Sequence, residues 1–149
     1  MHRASWIVLV IFLLALGTSA WQQPAAAPSA PAPTCAAELR PYVRTALYAD
    51  RMNPNSRGGR ISDREFRSFV DQVLVKHFPA GGTIIPNQGW WRAPNGKTDG
   101  APGQTMVMLA PVAELESHRA AVRIVIAEYK QRYQQQSVLW EEDRVCAAF

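Results

Sequence analysis

The apolar positions of this chain change period several times, and the changes mark its elements. Pro41–Asp50 carries Val43, Leu47 and Tyr48 with Ala46 between them, a pattern that suits a strand. The turn-rich run Asn53-Pro54-Asn55-Ser56-Arg57-Gly58-Gly59 ends it. A helix start follows. Ser62 can cap, Glu65 three residues on completes a capping box, and Ile61 with Phe66 makes a hydrophobic staple. Phe66, Phe69, Val70, Val73, Leu74 and Phe78 then recur at helical spacing until Pro79-Ala80-Gly81-Gly82 stops the run.

Beyond that stop the period returns to two. Thr83-Ile84-Ile85 and Gly89-Trp90-Trp91-Arg92 read as one interrupted strand, with Pro86 placing it at a sheet edge or a bulge. Ala93–Gly103 is rich in Gly and Pro and reads as a loop. Gln104–Ala110 is apolar at nearly every position, as in a strand covered on both faces, and Pro111 closes it. A second helix is expected over Ala113–Gln134, with Leu115, His118, Val122, Val125, Ile126, Tyr129 and Tyr133 on one face. Ser137–Glu141 and Arg144–Phe149 form a last strand, broken at Glu142-Asp143.

The order strand, helix, strand, strand, helix, strand predicts an α+β, ferredoxin-like βαββαβ fold. A four-stranded antiparallel sheet would carry both helices on one face, with the first and third strands central. The first and last strands would be neighbours. That brings Cys35, just before the first strand, close to Cys146 near the end of the last. An isolated cysteine pair in an oxidising compartment points to a structural disulfide. A loop of this length gives about 4–5 kcal/mol in the chain-entropy picture, as an upper figure.

The compartment follows from the N-terminus. Arg3, the apolar run Trp6–Leu16 and the small residues Thr18-Ser19-Ala20 have the layout of a signal peptide over residues 1–20. The expected location is periplasmic or secreted. The alternative is an uncleaved leader, which would be the only membrane attachment. Residues 21–34, dominated by Ala and Pro, read as a semi-rigid tether to a single domain over 35–149. Losing Arg3 with the leader lowers the net charge of +4 by one. The remaining bases are scattered, with no stripe of the kind nucleic acid requires.

From Ala46 onward the chain resembles the bacterial family known as domain of unknown function 3574. The resemblance rests on Ala46-Leu47-Tyr48, Ile61-Ser62-Asp63-Arg64-Glu65-Phe66, Phe69-Val70-Asp71 and His77-Phe78-Pro79. It continues in Gln88-Gly89 with Trp91-Arg92, Tyr129-Lys130, Gln136-Ser137-Val138-Leu139 and Val145-Cys146-Ala147-Ala148-Phe149. Two departures stand out: Ala49-Asp50 replaces the family's Phe-Gly, and Trp90 stands where a small or polar residue is usual. The resemblance implies an exported or lipid-anchored domain and brings no catalytic residues with it.

Candidate chemistry is sparse. His77 ends the first helix, where the dipole favours a cation, and His118 falls on the apolar face of the second, as a hydrogen-bonded core residue would. No nucleophile elbow, HExxH or phosphate-binding glycine loop occurs. No catalytic residue, metal ligand or cofactor site is therefore expected. Adjacent strand residues point to opposite faces, so one indole of Trp90-Trp91 should pack under the helices and the other face away. Tyr48, Trp90, Trp91 and Arg92 are the candidate ligand-binding residues. Met106 and Met108 would lie on one face of the third strand, Val107 and Leu109 on the other, so something must cover the helix-free face. A homodimer through that face is the first expectation and a small apolar ligand the second. The rival reading is an enzyme with a pocket on the same face near Trp90 and Trp91.

Overall fold

The structure, a computed structural model, describes residues 34–56, 58–92 and 95–149, apart from the side chain of Trp91. The leader and nearly all of the tether lie outside these residues. Strand β1 (Arg40–Asp50) leads into α1 (Asp63–Phe69), a π-helical turn (Val70–Leu74) and a last turn α2 (Val75–His77). Strands β2 (Thr83–Arg92) and β3 (Thr98–Pro111) form a hairpin. A 3₁₀ turn (Val112–Glu114), helix α3 (Leu115–Tyr133) and β4 (Leu139–Ala147) complete the chain. The sheet order is β2-β3-β1-β4, antiparallel throughout. This is the ferredoxin-like arrangement, with β1 and β3 central.

The helix start is built as its residues dictate. The Ser62 hydroxyl accepts from the Glu65 backbone, and the Glu65 carboxylate accepts in return from the Ser62 N–H at 2.7 Å. Those bonds, with a further one from Ser56, hold the Glu65 carboxyl below the usual carboxylate range. Ile61 and Phe66 are both buried, as the staple requires. From there Phe69, Val73 and Leu74 meet Val122, Val125, Tyr129 and Tyr133 of α3 over Leu47, Met106 and Met108 of the sheet. Phe69, Tyr129 and Tyr133 pack edge to face with centroids 4.8–5.9 Å apart. The two phenols donate to backbone carbonyls, Tyr129 to Asp50 at 2.7 Å and Tyr133 to Glu65 at 2.9 Å. Each buried hydroxyl is thereby satisfied.

Three expected boundaries move, each for a tertiary reason. Strand β2 is continuous across Pro86. The Arg51 N–H bonds the Pro102 carbonyl, so even-numbered residues of β3 turn their backbone groups to β1 and odd-numbered ones to β2. By register the odd-numbered residues of β2 complete those bonds. Ile84, Pro86, Gln88, Trp90 and Arg92 therefore face the free edge, where proline's missing N–H costs the ladder nothing. Strand β3 begins at Thr98 rather than Gln104, because β2 pairs with half of the expected loop. Strand β4 runs unbroken through Glu142-Asp143. The two acids point to opposite faces, each to its own arginine: Glu142 to Arg119 at 2.5 Å and Asp143 to Arg44 at 3.6 Å.

Cys35 and Cys146 are joined, with Cα atoms 5.6 Å apart and 111 residues between them in sequence. Cys146 pairs with Pro41 at the start of β1, so the bridge clamps the segment before β1 to the end of β4. Replacing both cysteines with alanine is expected to lower stability by about 2–5 kcal/mol. Urea unfolding of the oxidised protein against the double variant measures it, and equal midpoints would contradict it.

Candidate functional site

The sheet has two unlike faces. Helices cover one. On the other the register sets Arg44 beside Leu109 and Asp143, Ala46 beside Val107 and Glu141, and Tyr48 beside Thr105 and Leu139. On the far side of β3, Ile85 lies against Thr105 and Thr83 against Val107. This face is divided. Over β1 and β4 it carries the Arg44–Asp143 pair and a bond of 2.8 Å from the Tyr48 hydroxyl to Glu141. That bond and the adjacent charge raise the Tyr48 phenol above its ordinary value. Over β3 and β2 it carries Val107, Leu109 and Ile85, the last 48% exposed, while Leu139 borders the opposite edge at 58%. Reading β3 alone suggests a wholly apolar face. Its neighbours supply the polar half.

The four candidate ligand-binding residues do not gather at one point. Tyr48 sits on the helix-free face in the row of Thr105 and Ile85. Trp90 and Arg92 lie further along β2, where its last five pairs with β3, Gln88↔Pro102 to Arg92↔Thr98, run past Asp50, the end of β1. This two-stranded ribbon projects roughly 15 Å at strand rise. Alternation puts Trp90 on the helix side, yet it is 79% exposed. The ribbon has outrun the helices, so the expectation of an indole packed beneath them is not met by Trp90. Trp91 pairs with Asp99.

His118 is a core residue, 6% exposed. Its Nε2 lies 2.8 Å from the hydroxyl of the fully buried Thr45, and the Phe78 ring stands edge-on at 5.3 Å. His77 ends α2. The sequence reading missed an apolar cleft on the helix side, between the π turn and the start of β2, lined by Val70, Leu74, Phe78, Ile84 and Met108. Its clue was Gly81-Gly82 at the helix stop, which looks like an ordinary turn. Among the described residues no three His, Cys, Asp or Glu side chains gather to hold a metal ion. No helix there is long and apolar enough to cross a membrane.

The family profile of DUF3574, a protein of unknown function, matches residues 44–149. The chain belongs to that family. No curated protein matches it in sequence. Among solved structures it resembles a phage SAM lyase in complex with S-methyl-5'-thioadenosine. Identity is 8% and the TM-score 0.56, over 72% of this chain and 90% of that one. CutA, the periplasmic divalent cation tolerance protein of Archaeoglobus fulgidus, is 14% identical with a TM-score of 0.45, over 70% and 83%. CutA of Synechococcus elongatus is also 14% identical, with a TM-score of 0.47, over 74% and 83%. Similarity at this level is one of fold.

Burial lowers the His118 pKa, and Glu142 and Glu114 pull weakly the other way. A histidine whose folded-state pKa lies below its unfolded value of about 6.5 costs no stability above that pH and an increasing amount below it. Melting temperature is therefore expected to fall between pH 7.5 and 5.5, and His118→Gln should flatten that fall while lowering stability at pH 7.5. Parallel pH profiles for the two proteins would exclude His118 as the cause.

Proposed function

We propose that this chain is an exported, non-catalytic module that associates with a second copy of itself through the helix-free sheet face. The observation that carries the reading is the row of large apolar side chains, Val107, Leu109 and Ile85, on a face that no helix of the described residues covers. A face four strands wide offers about 500 Å² per copy at ordinary strand spacing. Doubled, that reaches the roughly 1,000 Å² at which a specific interface becomes credible. The chemistry of the face is also self-complementary. A two-fold axis on β3 would stack the apolar halves of the two copies at the centre and leave Asp143 and Glu141 of β4 at the rim. The Cys35–Cys146 bridge supports export, since such bonds persist in oxidising compartments.

Light scattering on the disulfide-intact protein at tens of micromolar, a range suited to interfaces of this size, is expected to give twice the chain mass. Leu109→Glu should give the single-chain mass with an unchanged far-UV spectrum, because Leu109 is already part exposed. A wild-type monomer under these conditions would falsify the reading.

A further inference from the structure

The apolar cleft on the helix side lies against the free edge of β2, and the two together have the form of a peptide groove. Its volume is about 210 Å³, and no charged side chain lines it. An apolar cavity of about 150 Å³ takes a benzene ring, so this one suits a phenylalanine or leucine side chain. Val75 and Ile84 stand at its rim, 55% and 39% exposed, so apolar surface continues from the pocket to solvent. The π turn lines one wall with Val70 and Leu74, and wide turns of this kind recur at functional positions in helices. On the opposite wall Gly82 carries no side chain. A Cβ there would stand 2.8 Å from the Val107 carbonyl, so the backbone approach that shapes the cleft admits only glycine.

The edge supplies what a hydrophobic pocket alone lacks. Ile84 turns its N–H and carbonyl away from β3, as the pairing derived above requires, and among the described residues β2 has no neighbour on that side. A strand laid antiparallel on this edge would exchange both bonds with Ile84. Residues directly opposite share a face, so the incoming residue opposite Gly82, two along, would project on the helix side where no resident side chain competes. Pro86 removes the next outward donor, which limits the pairing to a short segment and discourages long edge-to-edge association.

We propose that this corner binds an extended peptide segment, which pairs with Ile84 and buries one large apolar side chain between the π turn and β2. Main-chain bonds supply affinity and the cleft supplies selectivity, the division seen wherever a strand is added beside a helix.

The test is a titration of the isotopically labelled full chain with a capped peptide of alternating threonine and serine around one central phenylalanine, followed by amide shifts. The expected result is saturable shifts at Ile84 and in Val70–Val75. Affinity should fall about tenfold or more when the phenylalanine is replaced by alanine, and equally when the edge-facing amides are N-methylated. Val75→Asp, at an exposed position, should weaken binding similarly without loss of fold. An N-methylated peptide that binds as well as the parent would overturn the proposal, as would N-acetyl-phenylalanine methylamide binding as tightly as the whole peptide. So would shifts confined to the helix-free face, or none at millimolar peptide.

Discussion

The antiparallel pairing of β1 with β3 on one side and β4 on the other is the frame on which the helices pack. Its helix-facing residues, Val43, Thr45, Leu47 and Ala49, are almost wholly buried. Two of them, and the strand's last residue, anchor other elements. Leu47 is the floor on which the two helical rods meet, and Thr45 holds His118. The carbonyl of Asp50 receives Tyr129. The disulfide then ties the chain ahead of β1 to the end of β4, so the central strand is restrained at the point where it enters the sheet. A strand bonded on both sides cannot slip by one residue without moving its apolar set to solvent. That constraint makes the remaining geometry predictable.

Two consequences follow from the four strands and two helical rods of the described residues. Among the described residues nothing covers one face or either edge of the sheet, and the β2–β3 hairpin, longer than β1, extends past the shared sheet. The uncovered surfaces differ in chemistry. The helix-free face mixes paired charges with a run of apolar residues, which suits a second copy of the same face. The β2 edge offers backbone groups beside an apolar cleft, which suits an extended segment. The exposed Trp90 belongs to neither, being carried out on the ribbon.

Local features were legible because their physics is local. The Ser62–Glu65 capping box, the Ile61–Phe66 staple and the apolar stripe of α3 depend on residues a few positions apart. The element order and its topology could be read for the same reason, and topology brought Cys35 to Cys146. Less legible were features that depend on a neighbour in space. Gly103 and Pro102 look like loop residues until β2 is placed beside them. Glu142-Asp143 looks like a break until Arg119 and Arg44 arrive on opposite faces. Val107 and Leu109 suggest a wholly apolar face until β1 and β4 add Tyr48, Arg44 and Glu141.

The candidate site follows the same division. By itself the amino-acid sequence determined the fold class, the core and the family, because hydrophobic period and capping chemistry are written along the chain. Only the tertiary structure decided that Tyr48 and Trp90 stand apart, and that a cleft opens where Gly82 meets the π turn. It also showed that the cleft lies against the β2 edge. Surfaces are made by residues distant in sequence and by the lengths at which strands stop, and neither quantity has a period to read.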